Sequence, residues 1–196
     1  MSEAGTDRPG STAVLAGTSP IAVIAIGNVL LGDDGFGPTV LALLDSQWDI
    51  PTRVELIDAG TPGLDLAGLL CGREAVILID TVAASGQPGQ LRLYRDHELQ
   101  RALVLQPRVS PHDPAVAEAL AIAGLAGGAP RSVLLVGVIP ESAEVGPGLS
   151  DAVATAVPEA AAAVVAALRQ WGVAPTRRRE PIGNGSWWMR DAAAAG

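Results

Sequence analysis

One cysteine, Cys71, is all the chain has. A single thiol excludes an internal disulfide and any zinc site built on several cysteines. Its setting, "LLCGRE", reads as a buried Cys just before a helix-ending Gly. Lysine is absent, and all 13 basic residues are Arg. With a net charge of −8, the chain is a poor partner for nucleic acid or an anionic membrane surface. Aromatic residues make up only 3%, so the core has to come from Val, Ile, Leu and Ala. The N-terminus "MSEAGTDRPGSTAVLAGTSP" lacks the basic segment of a secretory signal. No apolar run reaches membrane-spanning length. A cytoplasmic location is therefore expected.

Hydrophobic residues account for 48% of the 196 positions, enough for one domain with a proper core. "IAVIAI" (21–26) and "EAVILID" (74–80) are the continuous apolar runs of strands buried on both faces, and "RSVLLVGVIPES" (131–142) is a further strand. "RVELIDAG" (53–60) is also strand-like, and "GQLRLYR" (89–95) alternates as an edge strand does. Helical patterns lie between them. "GPTVLALLDSQ" has Pro38 in its first turn, and "TPGLDLAGLL" has Thr61 as N-cap and Gly72 as stop. "DHELQRALV" is a short helix, and a further helix opens at Ser110 and Pro111. A long C-terminal helix has Ser150 as N-cap, Pro158 as a kink and Gly172 as stop.

The expected organisation is a flexible lead-in (1–19), one α/β domain (20–173) and a disordered tail (174–196). From Thr176 the tail carries four Arg against Glu180 and Asp191, with Trp187 and Trp188 beyond. Strands alternating with helices imply a mostly parallel sheet covered on both faces. Ligands of such sheets bind outside the carboxyl ends of the strands.

At that edge the sequence places acids. "GNVLLGDDG" (27–35) has the Gly27–Gly32 spacing of a phosphate-cradling loop, but Asp33 and Asp34 stand where Lys and Ser or Thr belong. Helix capping is the reading for Asp33, and Asp34 is the candidate for chemistry. Asp58 ends "VELID" and Asp80 ends "VILID". Each could simply bond loop backbone or cap a helix. Capping is weak for Asp58, with Thr61 at hand, and weakest for Asp80, whose loop leads to another strand. Like charges on one rim call for a cation or a shared proton.

Of two histidines, His97 sits among charged residues and reads as solvated, whereas His112 is held between prolines in "SPHDP". One imidazole with two carboxylates suits a divalent transition ion; magnesium would favour oxygen ligands throughout. The intervals, 46 residues from Asp34 to Asp80 and 32 from there to His112, are not those of a local metal motif. No G-x-S-x-G elbow marks a nucleophilic serine, and Cys71 has no matched His.

Five blocks, "AIGNVLLGDDGFGP", "ELIDAGTPGLDL", "VILIDTV", "SPHDPAVAEAL" and "LVGVIPES", come in the order they have in the nickel–iron hydrogenase maturation proteases. The chain resembles that family over roughly residues 20–173. The resemblance implies a three-layer α/β/α sandwich around a twisted, mostly parallel five-stranded sheet. It implies an endopeptidase that removes a short C-terminal extension from the precursor of the hydrogenase large subunit after nickel insertion. It implies Asp34, Asp80 and His112 as metal ligands, with Asp58 in a supporting role. Nickel would arrive in the substrate, and cadmium or zinc could occupy the same ligands. The metal could act as a Lewis acid, or Asp34 or Asp80 as general base in aspartic-protease fashion. Three rivals stay open: a nickel delivery or checkpoint module without hydrolysis, a nucleotide-binding protein using the Gly-rich loop, and a general peptide metallohydrolase.

Overall fold

Every side chain of the strand Ile21–Ala25 is buried, as a strand covered on both faces requires. The computed structural model describes residues 19–105 and 116–183. Its elements begin with β1 (Ile21–Ala25), α1 (Phe36–Gln47), β2 (Trp48–Asp49), β3 (Val54–Asp58) and α2 (Leu66–Leu70). There follow β4 (Ala75–Thr81), β5 (Leu91–Arg95), α3 (Asp96–Leu105), α4 (Val116–Leu125), β6 (Ser132–Val138), α5 (Asp151–Gln170) and β7 (Thr176–Arg177).

The main sheet has five strands in the order β3-β1-β4-β6-β5. β1, β3, β4 and β6 are parallel, and β5 closes one edge antiparallel to β6. Alternate side chains feed two cores. Val23, Ile77 and Val136 point with Phe36, Val40 and Leu44 of α1 and with the apolar face of α5. Ile24, Leu78 and Leu135 point with Leu66 and Leu70 of α2, Leu99 of α3, and Val116, Ala119 and Ala123 of α4. The result is the three-layer sandwich. Because α1 and α2 cover opposite faces, the chain leaves β1 for β3 on one side and returns to β4 on the other. The strand order therefore reverses between β1 and β4, and this switch point is where open α/β sheets hold ligands.

α5 has the length and apolarity of a membrane span, which the expectation of no such run overlooked because Asp151, Pro158 and Glu159 interrupt its sequence. Half of the helix is buried, and that half packs on α1 and β6. Ser150 caps it as expected, its Oγ accepting from Val153 N–H (3.4 Å), and the helix runs through Pro158 to Gln170.

Two expectations need correction. Thr61 does not cap α2. A 3-10 turn, Gly63–Asp65, intervenes, with Pro62 at its N-cap position, and no side chain caps either the turn or α2. The disordered tail does not hold over residues 174–183, where β7 pairs antiparallel with β2. The last carbonyls of α1 lack intrahelical donors. Arg178 N–H donates to Gln47 O (2.8 Å) and Ile182 N–H to Ser46 O (3.0 Å), while Ser46 Oγ donates to Ile182 O (2.8 Å). Arg178 also pairs with Asp49, and Arg169 lies over the Trp48 ring, 5.7 Å from its centroid. The tail thus finishes the end of α1. Trp187, Trp188 and the lead-in before Ser19 lie outside the described residues.

Candidate active site

The loop after β1 is tied to both neighbouring strands. Ile26 N–H donates to Ile79 O of β4 (2.9 Å), and Gly27 N–H donates to Gly60 O beyond β3 (2.8 Å). Gly27 has φ 133°, and a Cβ there would stand 1.9 Å from Asp34 O, so only glycine lets the chain fold back this tightly. The return passes through the 3-10 turn Gly32–Gly35 into α1. At Gly37 a Cβ would lie 2.3 Å from Ile26 O and 2.6 Å from Ile79 O. The first turn of α1 therefore rests directly on the carboxyl ends of β1 and β4.

Within this loop Asn28 N–H donates to Asp34 Oδ2 (2.8 Å). In a phosphate loop such an N–H would meet the ligand; here the protein's own carboxylate takes it. Asp34 is half-buried and fixed beside the switch point.

Asp80 comes to the same place from β4. Ala25, the last residue of β1, pairs with Ile79, so Asp80 stands one residue beyond that pairing, opposite Gly137 of β6. Its Oδ1 accepts from Thr81 N–H (2.7 Å), and the residue is half-buried.

Asp58 ends β3 on the other side of β1, exposed, with Oδ1 accepting from Gly60 N–H (3.1 Å). The three carboxylates share the rim, but among the described residues no group of three His, Cys, Asp or Glu is arranged to hold a metal ion. His112 lies outside the described residues, and His97 is exposed on α3. The end of α4 is tied to the end of α2 by Gly72 N–H donating to Gly128 O (2.8 Å). α4 also packs on the turn Gly63–Asp65, so its start, Val116, lies toward the rim.

Asp33 overturns the capping expectation. No side chain caps the 3-10 turn or α1. Asp33 is only 1% exposed and turns instead to the segment between β6 and α5. Its Oδ2 accepts from Glu141 N–H (2.8 Å), Ser142 N–H (3.1 Å) and Ser150 Oγ (3.0 Å), and its Oδ1 from Ser150 N–H (2.7 Å). The sequence carries no signal for this role, because the partners are more than 100 residues away. Cys71 is half-buried, its Sγ against Gly128, where a Cβ would stand 2.2 Å from it.

A groove of about 210 Å³ opens between the loops after β1 and β3. Gly27, Asn28, Val29, Pro38, Asp58, Gly60 and Thr61 line it. The sequence motifs point to its residues singly, but only the fold makes them one cavity.

The sequence profile of the hydrogenase maturation proteases matches residues 38–167. The hydrogenase 2 maturation protease of Escherichia coli K12 is 34% identical over 154 residues, which are 78% of this chain and 93% of that protein. The solved structure of the E. coli hydrogenase maturating endopeptidase HybD superposes with a TM-score of 0.75 at 34% identity, covering 81% of this chain and 97% of that one. A hydrogenase 2 maturation peptidase from a Thaumarchaeota archaeon is 35% identical with a TM-score of 0.56, covering 76% and 97%.

Proposed function

The chain belongs to the hydrogenase maturation protease family, and from that premise we propose that it trims the precursor of a nickel–iron hydrogenase large subunit. The reaction class is peptide hydrolysis by an endopeptidase. The segment removed is a C-terminal extension, and removal follows nickel insertion. Asp34, Asp80 and His112 recognise the nickel that the precursor carries. The work is done in the cytoplasm, on a protein partner rather than on nucleic acid or a membrane.

The observation that carries this reading is the position of Asp34, in the turn that follows β1, and of Asp80, near the end of β4, at the β1/β4 switch point, where Asp34 Oδ2 and Asp80 Oδ1 each accept from a backbone N–H. Two oriented carboxylates suit a hard or borderline divalent ion, and one imidazole completes a set of the kind nickel accepts. His112 precedes Val116 by four residues, a reach of at most about 14 Å from the rim-facing start of α4. Nickel in the substrate supplies charge that polarises a nearby carbonyl.

The chain's own residues do the rest. A carboxylate, Asp34 or Asp80, takes a proton from water as the water oxygen bonds to the scissile carbonyl carbon. When the C–N bond breaks, the same group returns the proton to the leaving amine. Two N–H-anchored carboxylates need no reorganisation as this charge moves.

Incubation with nickel-loaded and nickel-free precursor, read by intact mass, tests the reading. Only the loaded precursor should shorten. If neither shortens, the protein is a delivery or checkpoint module; equal cleavage of both makes nickel irrelevant to recognition.

A further inference from the structure

We propose that Leu30 and Val145 form an apolar platform that docks against the folded body of the protein substrate, in an apolar depression edged by basic side chains. This rests on the endopeptidase reading above and adds to it a contact with the part of the substrate that is kept.

Single exposed apolar residues are ordinary on a protein surface, whereas neighbours on one support are not. Leu30 is 49% exposed and Val145 is 89% exposed. They belong to different loops, one after β1 and one between β6 and α5, both at the carboxyl edge of the parallel strands. An isolated parallel bridge joins Leu31 to Gly146. Its bonds run from Gly146 N–H to Leu30 O (2.9 Å) and from Gly32 N–H to Gly146 O (2.8 Å). Leu30 and Val145 each precede a bridged residue, so they stand side by side, with Cα atoms about 5 Å apart.

The support is stiff. Asp33 accepts from Glu141 and Ser142 on one side of Val145 and from Ser150 on the other. Leu149 packs against the core. The pair is thus held out in advance, and little ordering has to be offset when it is covered.

The shape selects the occupant. A Cβ built on Gly146 or Gly148 would meet nothing within 4 Å, so Val145 projects with no wall around it. A projecting pair cannot enclose one side chain of an extended peptide; it fills a depression in a surface already folded. Asp34 is bonded to Asn28 N–H, at the opposite end of the loop from the bonds to Gly146, so the platform stands apart from the reacting groups. Glu141 and Glu144 are exposed beside Val145, and the surface that matches them carries basic side chains around its apolar centre.

The test compares the wild-type chain with a Leu30→Ser, Val145→Ser double variant on nickel-loaded precursor. The double variant should lose about tenfold in kcat/KM through KM, with kcat within about twofold of wild type. Val145→Asp should by itself lose about fivefold and keep the wild-type urea midpoint, so it carries the test if the double variant folds poorly. Large subunit prepared without the extension should compete with precursor for wild type, and about tenfold less well for the double variant. A peptide copying the extension should compete equally with both.

An unchanged KM in the double variant and in Val145→Asp overturns the proposal. So does an equal loss of competition by the peptide, which would assign the pair to the extension. A wild-type dimer that the double variant dissociates would assign it to a second copy and overturns the proposal too. Should wild type cleave nothing, the endopeptidase reading falls. Docking is then decided by titrating large subunit without its extension onto both proteins: tighter binding by wild type upholds the platform, and equal or absent binding refutes it.

Discussion

Replacing Asp33 should unfold far more than its own turn. The carboxylate is 1% exposed and accepts four hydrogen bonds, three of them from backbone N–H groups of Glu141, Ser142 and Ser150. Around it, Gly32 N–H donates to Gly146 O (2.8 Å), Gly146 N–H to Leu30 O (2.9 Å) and Asp33 N–H to Ser142 O (3.1 Å). Asp33 therefore joins the loop after β1 to the segment that launches α5. Its charge also sits at the N-cap of that helix, where a negative charge is favourable. Hydrogen bonds to a charged group contribute about 1.5–3 kcal/mol each and do not add in one network. Asp33→Ala, which leaves all four donors without this acceptor, should then cost roughly 3–5 kcal/mol, a large part of the ~5–15 kcal/mol of a typical domain. Asp33→Asn keeps the volume and one acceptor oxygen, but turns an NH₂ toward a donor, and should cost about 2–3 kcal/mol. Urea unfolding followed by far-ultraviolet circular dichroism measures both. A double-mutant cycle with Ser150→Ala should give a coupling of about 1 kcal/mol. An Asp33→Asn variant within about 0.5 kcal/mol of wild type would show that the network is ornamental and refute the reasoning.

The neighbouring residue should behave in the opposite way. Asp34→Asn and His112→Ala should each abolish shortening of nickel-loaded precursor while the urea midpoint stays near wild type, and normal cleavage by either variant removes that residue from the site. Gly37→Ala forces a Cβ against Ile26 O (2.3 Å) and Ile79 O (2.6 Å). Because backbone gives way little, a loss near 3 kcal/mol is expected, together with loss of cleavage as α1 lifts from the strand ends; an unchanged midpoint would contradict the close approach. Truncation after Val173 removes the donors at Arg178 and Ile182 that finish α1, and the Arg178–Asp49 pair. It should lower stability by roughly 1–3 kcal/mol and leave precursor cleavage intact below the new melting temperature. A melting temperature equal to wild type would mean that residues 174–183 do not support α1.

How far the sequence could lead depends on how local each cause is. β1 and β4 were legible as apolar runs because a strand buried on both faces needs nothing but apolar residues in succession, and β6 was legible as a strand. β5 was legible as an edge strand from its alternation, and it is one of the two edge strands. The places of Asp34, in the loop after β1, and of Asp80, near the end of β4, were legible because both follow from where an apolar run stops. β7 is two residues long, too short for any period, and exists because α1 leaves carbonyls to be met. Thr61 looked like a cap because the sequence did not reveal that a 3-10 turn would move the helix start to Leu66. The groove has no sequence signature, since two loops from different strands make it.

The two adjacent aspartates mark the point where local sequence stops being enough. Both are acids in the same turn, and the pattern of glycines around them is symmetrical enough to fit either for capping or chemistry. The turn Gly32–Gly35 is 3-10, with three residues per turn, so neighbouring side chains leave it about 120° apart. They therefore cannot serve the same end. Asp33 meets Glu141, Ser142 and Ser150, and Asp34 meets Asn28 beside the groove. Gly27 permits the arrangement, because any Cβ there would stand 1.9 Å from Asp34 O. A sequence can announce that two carboxylates in a tight turn will part company. Which of them turns inward is settled by partners more than 100 residues away, the N–H groups of Glu141, Ser142 and Ser150 that only the folded chain brings to Asp33.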